Sequence, residues 1–468
     1  MKTPSLLLFL IAVMAVSCNS VEKQQTETAQ LWLTSQDGKH LLQKQEIAIN
    51  PDNADKADET IVINDSITYQ TMDGFGYTLT GGSAMLMHYM SDTARADLLQ
   101  ELFGRKEENL GVSYIRLSIG ASDMDAAPFS YDDLAQGETD IDLAHFNLSQ
   151  DTLHLIPVLK EILKISPKIK ILGSPWSPPV WMKDNGDTRG GSLLEKYYPV
   201  YANYFVKYIK AMGDNGIPID AITIQNEPLH PGNNPSLLMK APEQGEFIKN
   251  HLGPAFVDNN IKTKIIIYDH NADRPDYPIS ILNDPEAAKY IDGSAFHLYG
   301  GNVNAISTVH YTHPEKNLYF TEQWVGAPGD FAKEMEWHTE NLIIGATRNW
   351  CKTVLEWNLA ADENQEPHTD RGGCDRCLGA ITINGNTVTR EPAYYIIGQA
   401  SKFVSPGSKR IESNLSKDLP NVAFNTPEGE TVLILQNKAD KAKTVKVIVR
   451  EKKVLVKLAA KDIATLVL

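Results

Sequence analysis

Eight short β-rich runs, separated by helical or long connecting stretches, constrain this chain more than any other feature. They are Gly74–Leu79, Tyr114–Ile119, Ile169–Leu172, Ala221–Ile224, Lys264–Tyr268, Gly293–His297, Leu318–Thr321 and Thr353–Trp357. Between several of them, as in Leu153–Ile165 and Tyr197–Met212, apolar residues return every three to four positions, the period of a helix packed on one face. Eight such runs over roughly 290 residues is the count for a (β/α)8 TIM barrel, an α/β fold. The alternative, a doubly wound sheet, usually needs fewer strands and often carries a glycine-rich phosphate loop. Gly74-Phe75-Gly76 is too short to be one.

From about Phe403 the pattern changes. Val422–Phe424, Thr431–Gln436, Thr444–Val449, Lys453–Leu458 and Ala464–Leu468 are short strand-like runs, most of them alternating, and read as a small β-sandwich. Two earlier runs, Gln45–Ile49 and Glu59–Ile63, have no place in the barrel, so they are expected to pair with the C-terminal strands. The expected organisation is a leader at 1–18, a polar tether at 19–30 and N-terminal sandwich strands at 31–66. The barrel follows at 67–400 and the C-terminal sandwich at 401–468.

In such a barrel, catalytic groups stand at the C-terminal ends of the strands. Reading those ends in order gives Arg116 with Asp123 nearby, then Trp176 with Trp181, then Asn226-Glu227, then Asp269-His270. His297 and Tyr299, Glu322 and Trp324, and Trp357-Asn358 complete the rim. Two of these residues are glutamates, Glu227 on the fourth strand and Glu322 on the seventh. A lone rim glutamate reads as a salt bridge, but two facing carboxyl groups can cleave a glycosidic bond. One protonates the leaving oxygen while the other attacks the anomeric carbon, and neither step needs a metal or cofactor. The flat C–H faces of sugars pack on aromatic rings, so Trp176, Trp181, Trp324 and Trp357 suit a saccharide pocket; for Trp181, core packing is the alternative.

The formal net charge of -15 argues against nucleic acid as a partner. The opening MKTPSLLLFLIAVMAVSC has a positive start, an apolar stretch too short to span a bilayer, and small residues leading to Cys18. It resembles a bacterial lipobox, with Cys18 lipidated, the chain exported and the anchor holding it to an envelope membrane; a plain secretory signal is the alternative. Export permits a Cys374–Cys377 disulfide. Cys351, in an apolar context, reads as a buried small hydrophobe.

Several phrases resemble glycoside hydrolase family 30, which includes glucosylceramidases and β-1,6-glucanases. They are DGFGYTLTGGSA (73–84), YIRLSIGASDMD (114–125), LGSPWSPPVWMKDNG (172–186), TIQNEPLH (223–230), YFTEQWVG (319–326) and EWNLAADENQEP (356–367). YYIIGQASKFVSPGSKRI (394–411) resembles the family's barrel-to-sandwich junction. The resemblance implies a retaining β-glycosidase with Glu227 as acid/base and Glu322 as nucleophile. It also implies that Asn226 binds the sugar 2-hydroxyl, and that Arg116, Asp123, Trp176, Tyr299 and Trp357 line the subsite for the non-reducing sugar, with His297 and Trp324 beside it; for Arg116, a structural pair for one of the carboxylates is the alternative. Thr80-Gly81-Gly82 and Phe296-His297-Leu298-Tyr299 depart from common family patterns. The cysteine-bearing loop Asp370–Ile381 resembles the β-1,6-glucanase side, with β-glucosidase, xylosidase or fucosidase action as alternatives.

Two rival classes stand beside this reading. A metal-dependent hydrolase could draw on His297, Asp269, His270 and Asp273, with His297 otherwise a supporting hydrogen-bonding residue; the first strand lacks an HxH pair. A glycan-binding lipoprotein with an inactive barrel is the non-enzymatic rival, and the presence of both glutamates speaks against it.

Overall fold

The computed structural model describes residues 1, 27–51, 56–106 and 108–468. The expected leader, most of the tether and the lipidation site Cys18 lie outside the described residues.

Eight parallel strands close into a barrel in chain order. They are Gly74–Thr78, Tyr114–Ile119, Lys170–Pro175, Ala221–Thr223, Lys264–Ala272, Ile291–Gly301, Asn317–Glu322 and Cys351–Asn358, here called strands one to eight. Each run read from the sequence is one of these strands, with ends displaced by a few residues. The longest connection, between strands two and three, holds an extended loop before the helix Leu155–Ile165. That helix turns one apolar face, including Val158, Leu159 and Ile162, into the core. Burial of each such side chain contributes about 1.5–3 kcal/mol relative to exposure.

The second unit is a nine-stranded sheet that curls back on itself. Its outermost strands, Gln43–Ala48 and Lys452–Leu458, approach through a bridge between Ile49 and Val454. Leu31, Ile61, Ile411, Leu433, Val447 and Leu466 meet in the enclosed apolar core. The expected N-terminal participation holds: Glu59–Thr71 runs antiparallel to Lys409–Ser413 and parallel to Lys443–Val449. One boundary is corrected. A strand at Thr28–Thr34 pairs antiparallel with Ile463–Val467, so the polar tether read as far as residue 30 ends sooner. The alternation of TAQLWLT, with Ala29 and Leu31 buried, places it there.

Gln399, on the helix Pro392–Ser401, joins the two units. Its amide donates to Thr34 Oγ1 at 2.6 Å and its side-chain oxygen accepts from Thr465 at 2.8 Å. Among the described residues, no helix is long and apolar enough to cross a membrane.

Candidate active site

Side chains alternate along a barrel strand, so residues two apart share the interior face. One interior level is apolar: Tyr114, Leu172, Ala221, Ile266, Ala295, Tyr319 and Leu355 form a single buried cluster. Two residues further on, the same strands deliver Arg116, Ser174, Thr223, His297, Thr321 and Trp357, all buried. Strand five breaks the step. A register shift lies between Tyr268 and His270, with φ of 71° at Tyr268 and 67° at Asp269. This bulge turns Asp269 inward where simple alternation would place Tyr268.

Asp269 is fully buried and becomes the hub of the polar level. It accepts from Arg116 Nη2 at 2.8 Å, His297 Nε2 at 3.1 Å and the hydroxyls of Ser174, Thr223 and Thr321 at 2.8, 2.7 and 2.6 Å. Burial acts to raise its pKa, but the Arg116 charge and the His297 contact outweigh it and hold the carboxyl well below the usual range. His297 stands between two carboxylates, with Nδ1 3.3 Å from Glu227 and Nε2 3.1 Å from Asp269. Burial opposes its charge, yet Glu322, Asp269 and Glu227 together raise it to about 9. Both ring nitrogens then donate, which leaves no lone pair for a metal. Asp269 is likewise committed to donors, so His297 and Asp269, two of the strand-end groups considered for a metal, serve a hydrogen-bond network.

Glu322 ends strand seven. Arg116 Nη1 donates to its Oε2 at 2.5 Å and the Tyr299 hydroxyl to its Oε1 at 3.0 Å. Glu227 follows strand four at φ 44°, a left-handed conformation uncommon for a side-chain-bearing residue. Two backbone bonds hold it there: Glu227 N–H to Asp269 O at 3.0 Å and His230 N–H to Glu227 O at 2.8 Å. The strained turn aims its carboxyl across the barrel mouth. One oxygen from each glutamate and a ring nitrogen of His297 all lie within 4.8 Å of one another. The carboxyls therefore titrate as a pair. Burial and the neighbouring Glu227 raise Glu322 against the pull of His297 and Arg116, whereas His297 draws Glu227 down despite its burial.

The cleft above the pair is lined by Asp123, Glu227, Asn233, Tyr299, Glu322, Trp324 and Trp357, with the Cys374–Cys377 disulfide forming part of its wall. Arg116, Trp176, Asn226 and His297 stand directly behind this wall. Trp176 packs on Trp357 at 5.2 Å between ring centroids, and the Arg116 guanidinium lies 4.8 Å from the Trp176 ring. Arg116 Nη2 donates to Asn226 Oδ1 at 2.7 Å, so the donor-only guanidinium fixes the amide's orientation. Gly81 and Gly82, the departure on the first strand, have a local reason. A Cβ on either would collide with Asp125 or with the Met124 carbonyl, so the glycines let the Asp123 loop lie against the helix Gly81–Tyr89.

Trp181 takes the alternative role. Its ring meets Tyr197 edge-on at 5.1 Å and its Nε1 donates to Asp132 O at 3.0 Å, away from the cleft wall. Cys351 is buried and free. The sequence reading gave no role to His230, Asn233 or Asn271, which line the cleft, nor to the supporting hydroxyls of Ser174, Thr223 and Thr321. Asn233 follows the NEP turn closely, which is the one signal that could have found it.

Residues 72–404 match the glycosyl hydrolase family 30 TIM-barrel domain, and residues 407–466 match that family's beta sandwich domain. The chain belongs to glycoside hydrolase family 30. Family 30 enzymes are retaining glycosidases, in keeping with the close pair of carboxyls. Among relatives, an endo-1,6-beta-D-glucanase of Aspergillus fumigatus is 35% identical over 394 residues, 79% of this chain and 78% of that protein. The lysosomal acid glucosylceramidase of Mus musculus is 30% identical, covering 79% and 76%. The solved structure of the endo-beta1,6-glucanase BT3312 superposes with a TM-score of 0.87 at 34% identity, covering 94% of this chain and 99% of that one.

Proposed function

We propose that this family 30 enzyme hydrolyses β-1,6-linked glucan by double displacement, with Glu322 as nucleophile and Glu227 as acid/base. The observation that carries the mechanism is the approach of the two carboxyls within 4.8 Å, close to the separation of about 5–5.5 Å used for retention. The roles follow from their partners. Glu322 accepts from Arg116 and Tyr299, donors that favour its anion as the transition state forms beneath the anomeric carbon. Among the described residues, Glu227 Oε2 meets only the Asn233 amide, at 3.4 Å, and can carry the proton that the leaving oxygen takes.

Burial and the neighbouring Glu227 raise Glu322 while His297 lowers Glu227, so the approach of substrate has to reverse that balance. A glycosidic oxygen beside Glu227 offers a proton on that carboxyl an acceptor. Positive charge developing at the anomeric carbon favours Glu322 as the anion. After attack, Glu227 serves as base for water and the glycosyl ester on Glu322 breaks with a second inversion. The β-1,6 linkage rests on the named activity of the fungal relatives and of BT3312. Export with a lipid anchor at Cys18 belongs to the same reading, supported by the leader sequence. Mass analysis of the mature N-terminus tests it.

The substrate assignment is tested by incubating the enzyme with β-1,6-, β-1,3- and β-1,4-glucans, xylan and glucosylceramide, and resolving the products. Release of gluco-oligosaccharides from β-1,6-glucan alone is expected. Preferential turnover of glucosylceramide or xylan overturns the linkage assignment without touching the roles of the two glutamates.

A further inference from the structure

The long connection between strands two and three carries a second cluster of ionisable groups. Asp132 is 1% exposed, and neither of its carboxylate oxygens has a hydrogen-bond partner. Leaving such a group unmet is costly, and native structures rarely do so without a ligand, ion or water. An oxygen of Asp132, an oxygen of Asp140 and a ring nitrogen of His145 all lie within 4.8 Å of one another. Asp140 is 8% exposed; its Oδ2 accepts from the His145 backbone at 2.7 Å and lies 3.0 Å from His145 Nδ1. The His145 ring is 72% exposed and faces solvent.

The loop is rigid where it presents Asp132. The preceding Tyr131 is buried and stacks on Tyr208 with an interplanar angle of 6°. Its hydroxyl donates to Asp151 at 2.7 Å, and its backbone N–H donates to the Tyr204 hydroxyl at 3.0 Å. Trp181 holds the Asp132 carbonyl. The carboxylate is thus delivered to its place by packed neighbours.

We propose that Asp132, Asp140 and His145 form a binding site for a divalent transition-metal ion, separate from the glycosidic cleft. Two carboxylates supply the charge that offsets a dication, and the imidazole favours a borderline ion such as Zn2+ over Ca2+, which prefers an all-oxygen shell. Water completes the open side at His145. The ion would tie the 131–145 loop to itself and, through the Asp132 carbonyl, to Trp181. Its role is structural, and the hydrolytic chemistry does not pass through it.

The test uses tag-free full-length enzyme stripped with EDTA, titrated calorimetrically with Zn2+, Mn2+ and Ca2+ and melted in the presence of each. One Zn2+ per chain and a raised Tm are expected. Asp132→Asn and Asp140→Asn should each weaken binding about 100-fold or more, while both variants still melt cooperatively. Glu322→Gln, which alters the other acidic cluster, should leave the stoichiometry unchanged. Saturation by Ca2+ but not Zn2+ overturns the ion class. Absence of binding, or Zn2+ binding that survives Asp132→Asn and Asp140→Asn, overturns the site.

Discussion

Arg116 Nη1 lies 2.5 Å from Glu322 Oε2, and the same guanidinium reaches Asp269, Asn226 and Ser174. One planar cation thus fixes the Glu322 carboxylate, the hub of the polar level and the amide beside Glu227. A lysine keeps the charge but has no fork to serve several acceptors at once. Arg116→Lys is expected to lower kcat by about 100- to 1,000-fold, with a smaller change in KM. Steady-state kinetics on β-1,6-gluco-oligosaccharides decide this. Unchanged kcat would mean that the arginine serves packing alone.

Asp269 touches no cleft surface, yet it keeps His297 protonated and Arg116 in place. Asp269→Asn removes one of the charges that raise His297, so the imidazolium should lose its proton at lower pH. The alkaline limb of the kcat/KM profile is then expected to move toward neutrality, together with a fall of about 100-fold at the optimum. A fall in activity without movement of that limb would point to simple misfolding of the level.

Tyr299 donates to the oxygen of Glu322 that Arg116 does not hold. The hydrogen bond to a charged acceptor is worth about 1.5–3 kcal/mol. Tyr299→Phe should therefore slow formation of the glycosyl-enzyme by about 10- to 100-fold. Pre-steady-state release of a chromogenic leaving group reads that step directly, and an unaltered burst would remove Tyr299 from the mechanism.

His338, outside the barrel wall, sits 2.7 Å from Glu356 and 3.2 Å from Glu334. Burial opposes its charge, but Glu356 foremost and then Glu334 raise it from 6.5 to about 9. A raised histidine stabilises the fold fully below its unfolded value of 6.5, and that contribution is lost as pH climbs through 9. Urea denaturation at pH 6 and pH 9.5 should therefore differ by about 3 kcal/mol through this group, with His297 contributing in the same window. His338→Gln is expected to be less stable at pH 6 and to show a shallower alkaline decline. An undiminished slope in that variant would contradict the assignment.

The barrel was legible because its eight strands repeat one signal, and the two glutamates because each ends a β-rich run. The polar level was not. Ser174, Thr223 and Thr321 are residues that suit a strand as well as a network, and alternation alone points Tyr268 inward where a bulge substitutes Asp269. Arg116 could be read as a substrate contact or as a partner for a carboxylate, and it stands behind the cleft wall as that partner. The strand Thr28–Thr34 was partly absorbed into the tether because its partner, Ile463–Val467, lies at the far end of the chain.

The division of labour between Glu227 and Glu322 is tested most directly by trapping the covalent intermediate. A 2-deoxy-2-fluoro-β-glucoside with a good leaving group forms the glycosyl-enzyme quickly and hydrolyses it slowly. Peptide mapping of the inactivated protein by mass spectrometry should place the single fluoroglucosyl ester on Glu322, in the YFTEQW segment. An ester on Glu227 or on another carboxylate, or rapid turnover with no trapped ester, would contradict the assignment.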